Sequence, residues 1–215
     1  PRKGFPSTAM PPHNRTMVVT GAAMLWVGWF GFNAGSSWAA DGLAGMAMLV
    51  THISAATGAL TWMGIEWIRG GKPTIVGIAT GMVAGLATIT PAAGSVGPEG
   101  AILIGLMAGS ICFYATLTVK GVLGIDDSLD VFPVHGIGGV IGIIMVSFLG
   151  VKGGFLGSSA GEEWIPLEQF MIQMKGIFII GLWTAIASWV ILRAISIFTP
   201  LRVTEEEEYE GLDIA

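Results

Sequence analysis

The run GAILIGLMAGSICFYATLTV, residues 100–119, carries no charged side chain over its whole length. It is long enough to span a membrane, because a helix needs about 20 mainly apolar residues to cross roughly 30 Å of hydrocarbon. Five more stretches lack Asp, Glu, Lys and Arg: 16–40, 42–65, 73–98, 131–151 and 176–192. The shortest resumes after Arg193, which fits a tilted or kinked helix over 170–199. The sequence therefore predicts an all-α, polytopic transmembrane helix bundle with six spans.

The composition supports this class and excludes several others. Charged residues make up 12% of the chain, whereas soluble domains carry about 25%. The mean hydropathy is +0.73. Small residues four positions apart let transmembrane helices approach closely, and such pairs occur at Gly81/Gly85, Gly105/Gly109 and Gly138/Gly142. The chain has one cysteine, no basic patch and no histidine with a partner at metal-ligand spacing. We therefore expect no disulfide within the chain, no nucleic-acid partner, no metal, no cofactor and no enzymatic activity.

The lysines and arginines predict the orientation. With the N-terminus inside, the inner segments contain Arg2, Lys3, Arg15, Arg69, Lys72, Lys120 and Arg202. Lys152 is the one basic residue that falls clearly outside. Because cytoplasmic loops carry the excess of positive charge, we expect both ends of the chain on the cytoplasmic side of the inner (plasma) membrane. We divide the chain into a cytoplasmic loop (1–15), a transmembrane domain (16–199) and a cytoplasmic tail (200–215).

Two histidines lie within predicted spans, where polar groups are costly. His135 is near the start of the fifth span, and glycines at 136, 138 and 139 leave room beside its ring. A neutral imidazole can donate from one nitrogen and accept at the other, which suits a narrow pore for a small polar molecule. A structural hydrogen bond to a neighbouring helix is an equal alternative. His52 lies in the middle of the second span among hydroxyl side chains, which favours a structural role.

Polar and aromatic residues cluster at two further places. Trp29, Phe32, Asn33 and Ser36 share one face of the first span. That face could attract a cation through its rings, or it could belong to an interfacial aromatic belt. Asp126, Asp127 and Asp130 precede the fifth span, where carboxylates can cap a helix. Thr90-Pro91 interrupts the third span near its outer end.

Together these residues resemble the ammonium transporter family, which includes Amt, Mep and Rhesus proteins, and its bacterial Amt branch in particular. The motifs that carry the resemblance are 12–14, 28–36, 71–73, 90–92, 126–136 and 201–213, reading PHN, GWFGFNAGS, GKP, TPA, DDSLDVFPVHG and LRVTEEEEYEGLD. The resemblance implies eleven spans in two inverted repeats plus a last helix. This chain is similar to spans six to eleven, and its start, which lacks Met, looks like a loop entered midway.

The resemblance also implies a function and roles for individual residues. Ammonium would be recruited at an outer vestibule by Ser36 and Trp29, pass a gate that includes Phe32, lose its proton, and cross as ammonia past His135. His135 would be the second of two pore histidines and His52 would not be the first. Asn33 and Thr90 would be polar residues beside the pore, and Asp127 and Asp130 structural residues near its inner end. The family further implies a homotrimer in membrane lipid and a tail that meets PII signalling proteins. An ammonium sensor, coupled to a signalling domain or protein, is the alternative.

Overall fold

The computed structural model describes residues 1–8, 10–150 and 166–211 of the 215-residue chain. Lys152 and the predicted outer loop around it lie outside these residues. The helices are α1 (Arg15–Ala34), α2 (Gly42–Gly70), α3 (Ile75–Ile89), α4 (Pro98–Leu117), α5 (Gly138–Leu149), α6 (Pro166–Phe198) and α7 (Glu205–Glu210). With the turns that extend them, six helices of the described part are long and apolar enough to cross a membrane. This confirms the predicted all-α bundle of six spans.

The chain divides into two units, Pro1–Gln173 and Met174–Ala215. The first contains α1 to α5 and the beginning of α6. The second contains the rest of α6 and α7, which begins at a capping box formed by Thr204 and Glu207. Arg202 and Glu208 form an ion pair at 2.7 Å in this unit.

Polar side chains set where the helices of the first unit begin. Asn14, Asp41 and Thr74 precede α1, α2 and α3, and each accepts a hydrogen bond from a backbone amide three residues later. These bonds satisfy N–H groups that the first turn of a helix leaves free. At the other end of α3, the Thr-Pro sequence stops the α-helix at Ile89, and a 3₁₀ turn, Thr90–Ala92, follows.

Glycines let α2 pack closely between α3 and α4. A Cβ atom built on Gly81 would lie 2.7 Å from the Gly58 carbonyl oxygen, and one on Gly109 would lie 2.8 Å from the same oxygen. Gly85 and Gly105 face the backbone of Ser54 in the same way. The small-residue pairs of α3 and α4 are therefore contact surfaces, as their spacing predicts.

Two turns in the described residues of the first unit are π-helical. One, Thr118–Val122, continues α4, and we call it the Lys120 turn. The other, Phe132–Ile137, leads into α5, and we call it the His135 turn. The sequence predicts spans at both places but not this geometry. Single π-turns inside helices often occur at functional sites.

Candidate functional site

A cavity of about 710 Å³ runs along one face of α1, and we call it the His135 cavity. Six of its lining residues come from α1: Gly21, Met24, Leu25, Gly28, Trp29 and Phe32. Successive members are separated by three, one, three, one and three positions, which places them in one stripe on the helix. Ala87, Thr90 and His135 complete the lining from α3, the turn after it and the His135 turn. The wall is thus mostly apolar, with polar atoms at three positions.

Trp29 and Thr90 are joined across the cavity wall. The indole Nε1–H of Trp29 donates to Thr90 Oγ1 at 2.7 Å, and the Thr90 hydroxyl donates to the Leu86 carbonyl at 2.8 Å. The threonine therefore satisfies the one polar group of the indole and ties α1 to the end of α3. This arrangement places Trp29 in the wall of the His135 cavity.

The rings of the cavity form one contact series centred on Trp29. The Trp29 and His135 ring centroids are 6.4 Å apart, with planes inclined by 25°. Phe32 meets Trp29 edge to face at 5.8 Å. The imidazole from the His135 turn and the aromatic face of α1 are therefore brought together, although 106 positions separate Trp29 and His135 in the sequence.

A second cavity of about 310 Å³ adjoins Ser36, and we call it the Ser36 cavity. Its lining includes Phe32, Asn33, Ser36, Ser37, Leu43, Ala47, Thr90, Ala93 and Gly94. Phe32 and Thr90 line both cavities, so these two side chains lie between them. The Ser36 hydroxyl donates to the Phe32 carbonyl at 2.6 Å, which leaves its lone pairs free to accept.

Asn33 lines the Ser36 cavity but directs its amide towards α2. Its side chain is buried, and Nδ2 donates to Thr51 Oγ1 at 2.9 Å. Thr51 in turn donates to the Ala47 carbonyl at 2.6 Å. Asn33 therefore links α1 to α2 through a buried bond between side chains.

His52 lies outside both cavities. Its ring packs against Trp26 at 5.1 Å and Phe30 at 6.1 Å, on the exposed side of α2. Two hydroxyls that the sequence suggests as its partners are engaged elsewhere, since Thr51 bonds to Ala47 and Ser54 donates to the Gly85 carbonyl at 2.9 Å. The ring contacts of His52 are thus with aromatic side chains of α1.

The three aspartates before the fifth span have separate contacts. Asp127 accepts hydrogen bonds from the amides of Val131 and Phe132, at 3.0 and 2.8 Å, and so caps the His135 turn. Arg2 donates hydrogen bonds to Asp126, and this holds the pKa of that carboxyl down at about 2. Burial raises the pKa of Asp130, while the ammonium of Lys120 opposes this from 2.7 Å.

Sequence reasoning missed the part of the lining that carries no polar atom. Gly21, Met24, Leu25 and Gly28 continue the stripe that begins at Trp29, and their helical spacing is the signal that could have found them.

Among the described residues, no group of three or more His, Cys, Asp or Glu side chains could hold a metal ion.

Comparison with known proteins agrees with this architecture. A family model described as the Ammonium Transporter Family matches residues 1–215. An ammonium transporter of Aquifex aeolicus is 42% identical over 94% of this chain and 48% of that protein. Among solved structures, a "Sensor Amt Protein" has a TM-score of 0.85 and 30% identity, covering 94% of this chain and 49% of that one. Saccharomyces cerevisiae Mep2 has a TM-score of 0.78 and 36% identity, covering 90% and 48%.

The chain thus spans about half the length of the relatives it matches. The family model, by contrast, matches the whole chain. The six apolar helices of the described residues make this chain a multi-pass membrane protein. On these grounds the chain belongs to the ammonium transporter family.

Proposed function

We propose that this chain contributes one side of a pathway that carries ammonium or ammonia across a membrane. The observation that supports this most strongly is that two neighbouring cavities share Phe32 and Thr90 in their walls. The Ser36 cavity has hydroxyl groups, and the His135 cavity is mostly apolar. A cation can be held by polar and aromatic groups in the first, and a neutral molecule can cross the second.

Recruitment is the first step of the proposed mechanism. The lone pairs of the Ser36 hydroxyl can accept from an ammonium ion, and the faces of Phe32 and Trp29 can attract its charge. Phe32 is 62% exposed, so its ring is free to take part. Its place between the two cavities makes it the gate residue of this proposal.

Deprotonation follows from the nature of the second cavity. An isolated charge in an apolar environment costs at least several kcal/mol. Ammonia avoids this cost, so in this proposal ammonium gives its proton to solvent water on the Ser36 side, forming hydronium, as the neutral molecule moves past Phe32. The imidazole of His135 can then form a hydrogen bond with ammonia through a ring nitrogen, and the same ring can relay the proton.

The remaining polar residues act by holding this pathway in place. Thr90 fixes the Trp29 indole through the bond at 2.7 Å. Asn33 keeps α1 against α2 beside the Ser36 cavity. Asp127 and Asp130 have structural roles at the start of the His135 turn.

The setting of the protein is also part of the proposal. We place it in the inner (plasma) membrane, with residues 1–15 and the tail at 200–215 in the cytoplasm. The positive-inside distribution of lysine and arginine supports this orientation. From the family resemblance we further propose a homotrimer surrounded by lipid and a tail that contacts a PII signalling protein.

Transport is tested by reconstituting the complete gene product in liposomes that contain a pH-sensitive dye. An inward ammonium gradient should give a protein-dependent pH change, whereas equal gradients of potassium should not. An ammonium sensor is the competing function, since the "Sensor Amt Protein" has a similar fold. Saturable ammonium binding with no flux above that of empty liposomes would favour the sensor and contradict transport.

A further inference from the structure

His135 lies in a π-turn rather than in a regular α-helix. The turn, Phe132–Ile137, holds one residue more than α geometry would. Each α-helical residue turns the chain by about 100°, so one additional residue rotates the side chains beyond it by about that angle. The direction of the imidazole therefore depends on keeping this turn.

Packing fixes the end of the turn that leads into α5. A Cβ atom on Gly138 would lie 2.7 Å from Thr88 Oγ1, and one on Gly142 would meet the carbonyl of the same threonine. Because both glycines press against α3, α5 cannot rotate without losing these contacts. The helix after His135 thus has a set orientation.

Carboxylates fix the other end of the turn. Asp127 accepts from its first amides, and Asp130 adopts a left-handed conformation with φ of 56°. Asp130 Oδ1 lies 2.7 Å from Lys120 Nζ, and its side chain is only 17% exposed. Burying a carboxylate to this extent costs free energy unless a cation is paired with it.

Lys120 belongs to the other π-turn, at the end of α4. The ion pair therefore joins the Lys120 turn to the residue two positions before the His135 turn. We propose that Lys120 and Asp130 are positioning residues for His135: their ion pair fixes where its π-turn begins and so aims the imidazole into the cavity against Trp29. This inference rests on the proposed function only where it assigns His135 to the ammonium pathway. The positioning of the imidazole by the ion pair does not depend on transport.

The orientation of His135 can be measured without transport. Diethyl pyrocarbonate modifies neutral imidazoles, and peptide mass spectrometry reads the rates at His135 and at His52 in the same molecule. His52 is an internal standard because it lies outside both cavities. The variants are Lys120→Met, Asp130→Asn and the double variant, in the complete gene product in liposomes. Asn also tolerates the left-handed conformation, and Asp126→Asn is the control from another ion pair.

The ratio of modification at His135 to that at His52 should change by about threefold or more in both single variants. Each variant removes one partner of the Lys120–Asp130 ion pair, and residues in direct contact are coupled in energy. It should stay at the wild-type value in Asp126→Asn. The double variant leaves no unpaired charge and should match the single variants. A wild-type ratio in the single variants, or its return in the double variant, would overturn the proposal. If the single variants do not fold, the double variant alone decides between these outcomes.

Ammonium flux by the wild-type protein in the same liposomes tests the proposed function separately. Absent flux with shifted modification ratios would remove transport and leave the positioning role. Normal flux with unshifted ratios would support transport and overturn the positioning role. The two proposals can therefore fail independently.

Discussion

Replacing Thr90 with valine removes the hydroxyl that holds the Trp29 indole, while keeping the shape of the side chain. The bond measures 2.7 Å, and the indole Nε1–H loses its acceptor when the hydroxyl is gone. The Leu86 carbonyl also loses a donor. The expected result is an indole whose orientation in the wall of the His135 cavity is no longer fixed.

The magnitude follows from burial. Leaving a fully buried donor unpaired costs about 1–3 kcal/mol, and both partners here are only partly buried. We therefore expect about 1 kcal/mol, which corresponds to about a fivefold change in an equilibrium constant. If this cost falls on the path between the cavities, the initial rate of ammonium flux in liposomes should fall by about that factor.

A matched control is Thr80→Val, on α3, the helix that precedes the Thr90 turn. Thr80 also donates to a carbonyl four residues earlier, at 2.9 Å, but lines neither cavity. The ammonium flux of the Thr80→Val variant should equal that of the wild type. In a Trp29→Phe background the Thr90→Val change should have little further effect, because the bond is already absent. Equal flux losses for the two threonine variants would refute this reasoning.

Three further predictions concern the support of the site. In a denaturation assay, Gly142→Ala should lower the free energy of unfolding by about 1–3 kcal/mol, because the added Cβ meets the backbone of α3. Gly139→Ala is the control; there is open space beside Gly139, so this variant should be neutral or stabilising in the same assay. Asp127→Ala should destabilise by about 1 kcal/mol through loss of a cap, and Asp127→Asn should restore most of this. Asp126→Asn should lower the melting temperature near neutral pH, because Arg2 binds the charged carboxyl. A lowered pKa means that this stabilisation is present above about pH 4 and is lost as the pH falls towards 2.

Each of these has a clear contrary result. Equal stability of the Gly142→Ala and Gly139→Ala variants would mean that α5 does not press against α3. An Asp127→Ala variant as stable as the wild type would show that solvent or another group caps the turn. A melting difference for Asp126→Asn that persists unchanged at about pH 2 would separate the effect from the charge of that carboxyl.

The six spans follow from the sequence because helix length and apolar content are local properties. The 100–119 run lies within a helix and π-turn that extend over Pro98–Val122. Asp127 as a cap and the break of α3 at Thr90 are also local, since they depend on one residue and the backbone beside it. The close glycine contacts were predictable for a related reason, as only small residues let helix backbones touch.

The geometry of the site depends on how helices rotate against each other, which no single span encodes. The stacking of Trp29 on His135 and the bond from Asn33 to Thr51 each join different helices. His52 shows the same limit, because its position in the span could not tell which side of the bundle it would face. The π-turns were missed because one additional residue in a turn leaves the apolar pattern almost unchanged.

The most direct test of the account is the ammonium current of a His135→Ala variant of the complete gene product, with His52→Ala as its control. Currents would be recorded from liposomes on a solid support, with ammonium and then methylammonium as substrate. Since His135 lines the His135 cavity and His52 does not, replacing His135 should abolish the ammonium current or change the ratio of the two currents, while His52→Ala should behave as the wild type. Undiminished currents with an unchanged ratio in His135→Ala would contradict the account.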